Sequence, residues 1–444
     1  MSDLRPYQVD LIARVQAAYR EGAQAVCAQC PTGAGKTHLS AQGIIAPSLA
    51  RGRRTLFLAD LEEILIDTRD RLRALGLPAA AITRGRAEDP TAPVQVASQQ
   101  TLVSWLSRGV ELPPADRVIL DECHGSSATT TRALLAALRG RGARLLGLTA
   151  TPARGDGQPL DEFDALVCGP SMRDLITMGA LVRPEVLSPD RYLERGVAED
   201  PARVAWAAGR RGRRACIFVP TAAEADRVAG LLSQHGQPAA AVLDGMARDE
   251  RRAVRERLAS GALQHVVTVR ALQKGFDAPV LDTAVLASGG STIVGFLQTI
   301  GRVLRPCPGK PGALVYDLRG YVYLHGLPEQ DRVWSLEGSQ GRTASERAPD
   351  LRRCRECHAV FEPRTRCPRC GSVLVADPRP MRVQRAELYA QSGVAPELRA
   401  ARYVEAVERR MVERGMPVHV AGRIAREKAP AWVREALAQA AEVA

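Results

Sequence analysis

From residue 23 to residue 149 short apolar runs alternate with segments of helical length. Ala25–Ala28, Thr55–Ala59, Val94–Ala97, Val118–Leu120 and Leu145–Leu148 read as strands, with helices between them. This strand–helix rhythm predicts a mostly parallel sheet covered on both faces. Arg183 to Pro201 reads as a connector, after which the rhythm returns. Strands are expected at Ala215–Val219, Ala239–Leu243, His265–Thr268, Thr283–Ala287 and Ala313–Asp317, and helices at Ala222–Gln234 and Ala247–Ser260. Two α/β units of roughly 150 residues therefore stand in tandem. No period of about 20 to 50 residues is visible, which argues against a solenoid. Beyond Asp350 comes a short Arg- and Cys-rich segment. From Met381 onward a polar, Ala- and Arg-rich stretch reads as two or three helices, a solvated appendage. The expected division is 1–190, 191–350, 351–378 and 379–444.

Composition narrows the class. With 45% hydrophobic and 25% charged residues the chain is globular, which excludes wholesale disorder and collagen-like rods. Its apolar stretches are strand-length, short of the ~18 residues a membrane span needs. Met1-Ser2-Asp3-Leu4-Arg5 has no apolar leader segment, so a cytoplasmic location is expected. Lys plus Arg (61) exceed Asp plus Glu (49), giving +12 and favouring polyanionic partners. Only Lys36, Lys274, Lys310 and Lys428 are lysines, so each marks a position where an ammonium is wanted in an otherwise arginine-biased chain. Ten cysteines without a secretory leader point to thiols, metal or core packing before disulfides. Cys27 and Cys30 lie on a strand whose alternation sends them to opposite faces, which disfavours a paired metal or redox site.

The first strand runs into Cys30-Pro31-Thr32-Gly33-Ala34-Gly35-Lys36-Thr37 and then a helix. Strand, Gly-rich turn, Lys-Thr and helix make a phosphate cradle. Backbone N–H groups face the phosphates, Lys36 reaches the β and γ groups, and Thr37 ligates Mg²⁺. Cys30 stands where the general pattern has Gly. Val118-Ile119-Leu120 ends in Asp121-Glu122-Cys123-His124, two carboxylates at the C-terminal edge of a sheet, where such sheets bind ligands. Adjacent residues on an extended strand diverge, so Asp121 is expected to hold Mg²⁺ while Glu122 faces an attacking water as general base.

With Leu148-Thr149-Ala150-Thr151-Pro152, these residues resemble motifs I, II and III of superfamily 2 helicases of the DEAD/DEAH type. Leu4-Arg5-Pro6-Tyr7-Gln8 resembles the family's adenine-recognising segment, Lys274-Gly275-Phe276-Asp277-Ala278-Pro279 its motif V, and Gln298-Thr299-Ile300-Gly301-Arg302-Val303-Leu304-Arg305 its motif VI. The ordered set covers about residues 4 to 325 and looks most like bacterial and phage DECH-box members ending in a zinc-binding segment. The resemblance implies an α/β fold of two tandem RecA-like P-loop domains, with ATP and Mg²⁺ between them. It implies that Arg5 and Gln8 meet the base, that Thr32, Gly33, Ala34, Gly35, Lys36 and Thr37 hold the phosphates, and that Gly275 and Asp277 lie at the ribose. Arg302 and Arg305 would act across the cleft as arginine fingers. Gln99, Thr101 and Thr268 would touch the nucleic-acid backbone, while Thr149, Thr151 and Gln298 couple the two sites. DNA is expected before RNA. Relatives carry a basic or His-containing pair where this chain has Asp60-Leu61, and Arg270 to Gln273 diverges.

Cys354-x-x-Cys357 followed by Cys367-x-x-Cys370 and Gly371 has the form of two zinc knuckles, four thiolates able to close a tetrahedral Zn²⁺ site. Arg352, Arg353, Arg355, Arg364, Arg366 and Arg369 surround them, and nucleic-acid backbone contact is the working expectation. The expected function is an ATP-dependent helicase or translocase. Its rivals are a double-strand DNA remodeller that does not unwind processively, and a zinc-ribbon adaptor with a vestigial ATPase.

Overall fold

A computed structural model describes residues 4–59, 62–83, 86–125, 129–154, 157–269, 278–310, 312–338, 350–374, 396–413 and 416–443. The first sheet is built from β1 (Ala25–Gln29), β2 (Thr55–Ala59), β3 (Ala79–Thr83), β4 (Arg86–Ala87), β5 (Val94–Ser98), β6 (Arg117–Asp121), β7 (Arg144–Thr149) and β8 (Ala165–Cys168). Their order is β4-β3-β5-β2-β6-β7-β1-β8, parallel except for the β3–β4 pair. Every residue of β1, β2 and β5 is buried. Such strands have no solvent face, which is why their sequences are near-continuous apolar runs.

The second sheet comprises β9 (Pro184–Leu187), β10 (Ala215–Phe218), β11 (Ala239–Val242), β12 (His265–Thr268), β13 (Thr283–Leu286), β14 (Ala313–Asp317), β15 (Arg352–Arg353) and β16 (Ala359–Phe361). Its order is β11-β12-β10-β13-β14-β9-β16-β15. The run from β11 to β9 is parallel, and β16 and β15 are added antiparallel. Two sequence expectations change here. The connector 183–201 contains β9, so the second sheet recruits residues ahead of the 190/191 boundary. The cysteine-rich segment, expected to be a separate module, supplies β15 and β16 to that same sheet.

One buried apolar cluster reaches from Val26 and Phe57 under the first sheet through Leu181 and Ile300 to Phe218 and Val315 in the second. Residues through 374 accordingly form one compact unit. The described tail residues form another, with helices Pro396–Glu413, Val418–Glu427 and Ala431–Val443. Ala400, Val404, Ala425, Ala429 and Val433 give these helices a small core, with Tyr403 edge-on to Trp432 at 6.0 Å. The tail is thus a packed three-helix unit rather than the solvated appendage expected. Among the described residues no helix is long and apolar enough to cross a membrane.

Candidate active site

The turn after β1 delivers Lys36 at the start of the helix Lys36–Ser40. Gly33 and Gly35 both take positive φ, +91° and +84°, which a side-chain-bearing residue resists. A methyl group on Gly33 would meet Leu181 Cδ2 at 2.8 Å and Arg305 Cγ at 3.5 Å, so the stem of Arg305 rests against this turn. Gly301, at the end of the helix Ile293–Gly301, lies flat on Thr32, where a Cβ would come within 2.6 Å of the threonine Cβ. The segment carrying Arg302 and Arg305 is therefore seated on the phosphate-cradle turn, although some 270 residues separate them along the chain.

Glu122 closes the site from β6. Its backbone has φ +48°, left-handed and costly for a residue with a Cβ, and its N–H donates to Asp121 Oδ1 at 3.0 Å. This left-handed turn, rather than strand alternation, sets how Glu122 is presented beside Asp121. Lys36 Nζ donates to Glu122 Oε1 at 3.0 Å. Burial would push Lys36 down, but the charges of Glu122 and Asp121 outweigh it and raise it. Burial would likewise raise Glu122, and Lys36, His124 and Arg302 together pull it below its ordinary value. Both groups are thus held charged.

Glu122 Oε2 lies 3.4 Å from His124 Nδ1 and 3.4 Å from Gln298 Nε2, the latter on the helix Ile293–Gly301 beside the second sheet. His124 Nδ1 is also 3.0 Å from Thr149 Oγ1. That hydroxyl gives its proton to Thr151 O at 2.9 Å and accepts from Thr151 N–H at 3.0 Å, so the ring nitrogen must be the donor. Close contacts thus lead from Glu122 through His124 to the Thr149–Thr151 turn.

The amino-terminal segment lies against the phosphate-cradle turn. Gln8 is 2% exposed. Its Nε2 donates to Ala34 O at 3.0 Å and its Oε1 accepts from Arg5 N–H at 3.0 Å. Tyr7 OH donates to the same Ala34 carbonyl at 3.0 Å and takes a bond from Arg5 Nη1 at 3.2 Å. Gln8 and Tyr7 fasten the phosphate-cradle turn. Arg5 and Tyr7 also border a cavity of about 930 Å³ with Gly169, Pro170 and Met178. Cys30 is buried, which pushes its thiol up to about 11, a packing residue in the place of Gly. Cys27 Sγ lies 3.7 Å from Cys123 Sγ, a proximity invisible in the spacing.

The other expected contacts lie at the C-terminal ends of interior strands. Ser98 caps the helix Gln99–Ser107 by accepting from Thr101 N–H, and Gln99 is buried. Thr268 ends β12, buried. Asp60-Leu61, Arg270–Gln273, Lys274, Gly275 and Asp277 lie outside the described residues. Thr37 and Asp121 offer a hydroxyl and a carboxylate oxygen, the hard donors Mg²⁺ prefers.

The four cysteine sulfurs at 354, 357, 367 and 370 all lie within 4.8 Å of one another, with Cys354–Cys370 at 3.6 Å and Cys357–Cys367 at 3.5 Å. Four thiolates 2.3 Å from a tetrahedral Zn²⁺ would stand about 3.8 Å apart. Bonds from His358 N–H to Cys354 O and from Gly371 N–H to Cys367 O fold the two knuckles. Burial and the adjoining thiols push Cys357 up to about 12, while bonds to Ser372 pull Cys370 down to about 6. A central divalent cation would relieve that conflict by taking all four as thiolates. Arg353 Nε donates to Ser188 O at 2.7 Å, Arg369 pairs with Glu185 at 3.3 Å, and Arg173 pairs with Glu362 at 2.8 Å. Arg353 and Arg369 thus help dock the cluster against the second sheet. Arg364 and Arg366 remain exposed.

This docking changes what metal loss should do. Cys367→Ser with Cys370→Ser should abolish Zn²⁺ binding by the cluster, an ion that contributes about 10 to 16 kcal/mol where it is bound in small zinc modules. Because β16 pairs with β9, amide exchange at Val186–Ser188 should accelerate as well. Unchanged exchange there, with zinc lost, would show that the cluster does not support the sheet.

Two family models match the chain: the res subunit of type III restriction enzymes over residues 1–154, and the helicase conserved C-terminal domain over residues 203–307. A Halobacterium salinarum protein carrying the name DNA 3'-5' helicase Rad25 is 32% identical over 335 residues, 68% of this chain and 52% of its own. A protein named helicase 22, of a Sulfolobus islandicus filamentous virus, is 26% identical over 251 residues, 48% of this chain and 43% of its own. The chain spans about half the length of these curated relatives. Among solved structures, the type ISP restriction-modification enzyme LlaBIII bound to DNA superposes with a TM-score of 0.54 at 18% identity, covering 71% of this chain and 27% of that one. The Mycobacterium smegmatis helicase Lhr bound to ssDNA and AMP-PNP gives 0.51 at 18% identity, with 72% and 46% covered. These two likenesses concern the fold.

Proposed function

Because this chain belongs to superfamily 2 of the helicases, we propose that it is a nucleic-acid-dependent ATPase that translocates on or unwinds DNA. The observation that carries the reading is the seating of the Gln298–Arg305 segment on the phosphate-cradle turn, with Gln298 reaching Glu122. Groups flanking both sheets thereby converge on one phosphate site. In this reading Lys36 exchanges Glu122 for the β and γ phosphate oxygens of ATP. Glu122, released, accepts the proton of the attacking water. Arg302 and Arg305 meet charge developing on the transferred phosphoryl group, so turnover requires the two units to be together. Thr37 and Asp121 would hold Mg²⁺, which neutralises phosphate charge. The His124–Thr149–Thr151 chain gives the nucleotide site a physical route to the groove between the units. Zn²⁺ would sit in the four-cysteine cluster.

DNA is preferred to RNA because one relative is named for DNA. The sparse aromatics, 4% of the chain, favour grip along the phosphate backbone over base stacking.

The test is steady-state ATP hydrolysis with single-stranded, duplex and forked DNA and RNA in parallel. Stimulation by DNA is expected, and no stimulation by any nucleic acid would overturn the proposal. Strand-displacement and triplex-displacement assays then separate unwinding from double-strand translocation.

A further inference from the structure

We propose that Lys310 is a positioning residue for Arg305, stapling that residue's main chain to the strand-leading segment Pro279–Leu281. The proposal rests on the reading of Arg305 as a group acting at the nucleotide.

Lys310 ends the Cys307–Lys310 turn, closed by its own N–H to Cys307 O at 3.0 Å. Its ammonium donates to Arg305 O at 2.8 Å, Leu281 O at 2.7 Å and Pro279 O at 3.1 Å. Three protons thus meet three backbone carbonyls. These carbonyls come from two separate stretches. One closes the segment seated on the phosphate-cradle turn, and the other follows directly on residues 270–277, which hold the residues proposed for the ribose. A single compact cation holds both. A guanidinium is a planar fork whose N–H groups spread in one plane, so it would meet these three carbonyls with a different geometry. The compact ammonium here is one of four lysines among the chain's 61 basic residues.

The surrounding charges make the staple sensitive to pH. Asp282 attracts the ammonium, but it is already bonded by Arg213 Nη1 at 3.3 Å and by Arg214 N–H at 3.0 Å. Cys307 adds a little attraction, whereas Arg305 and Arg213 repel. Burial, the largest effect, with that repulsion brings Lys310 down from 10.5 to about 8. A neutral amine has two protons and a lone pair, so deprotonation must release one carbonyl. The sign for stability is opposite. Between about 8 and 10.5 the unfolded chain binds more protons than the folded one, so deprotonating this group favours the folded state. Activity should therefore fall at alkaline pH without a loss of stability from Lys310.

The experiment measures DNA-stimulated ATP turnover from about pH 6.5 to about 9.5 for the full chain, Lys310→Met and Lys310→Arg. Melting temperature and affinity for a non-hydrolysable ATP analogue are followed alongside. The unmodified chain should lose turnover above pH 8, approaching about tenfold per unit. Lys310→Met should lower kcat at least about tenfold at neutral pH, leave KM within about threefold and abolish the alkaline limb. Lys310→Arg should also lack that limb, because its charge persists, while its kcat stays below that of the unmodified chain. Normal turnover in Lys310→Met would overturn the proposal, as would a flat profile in the unmodified chain or an alkaline limb retained in Lys310→Arg. Should Lys310→Met fail to fold, the last two measurements decide alone. Glu122→Gln, assayed beside them, separates the two failures. An active Glu122→Gln defeats the reading of the nucleotide site. An inactive one beside normal Lys310→Met defeats this proposal only.

Discussion

Arg305→Ala should lower DNA-stimulated ATP turnover by about 10³- to 10⁵-fold, the range measured for removal of an arginine finger. The stem of Arg305 rests against Gly33, so its guanidinium starts from the phosphate-cradle turn and has only its own length to travel. Arg305→Lys should not restore the rate, because a single ammonium lacks the planar fork that meets two phosphoryl oxygens together. DNA affinity should stay within a few fold in both variants. A lysine variant turning over like the unmodified chain would show that charge alone suffices, or that the group acts elsewhere.

Glu122→Gln should lower turnover by about 10²- to 10⁴-fold, the usual contribution of a positioned general base. The amide keeps the size of the carboxylate but cannot accept the proton. Nucleotide binding should be kept or tightened, since Lys36 would no longer have to leave a full negative charge 3.0 Å away. Lys36→Ala should instead weaken nucleotide binding. The two measurements are single-turnover hydrolysis and titration with a non-hydrolysable analogue. Weakened binding in Glu122→Gln would mean that the carboxylate organises the site rather than activating water.

β1, β2, β5 to β7 and β10 to β14 were legible because parallel strands buried on both faces are written as apolar runs; β3, β4 and β8 were not read as strands. β9 was not: Pro184-Glu185-Val186-Leu187 is short, opens on proline and carries a charge, so it resembles a connector. Its strand state comes from pairing with β14 and β16, distant in sequence. The same nonlocality hid the union of the cysteine cluster with the second sheet. In the site, residue types and spacing pointed to Lys36, Asp121 and Glu122, and the family resemblance to Arg302 and Arg305. Spacing could not show the left-handed backbone of Glu122, which only its surroundings impose, nor the commitment of Gln8 to Ala34. Lys310 was flagged by rarity alone, and its three carbonyl partners required the fold.

The manner in which the second sheet ends has a consequence for handling this protein. Without β16, β9 would present its unpaired N–H and C=O groups along Val186 and Leu187, a template on which another chain could pair. With the cysteine-rich hairpin in place, the outermost strand is β15, two residues long and made of Arg352 and Arg353. A brief strand carrying two positive charges is a poor template, because a second copy would bring like charges into register. Truncation after residue 350, or prolonged metal chelation, should therefore promote edge-to-edge self-association before it unfolds the domain, and light scattering at rising protein concentration would reveal it.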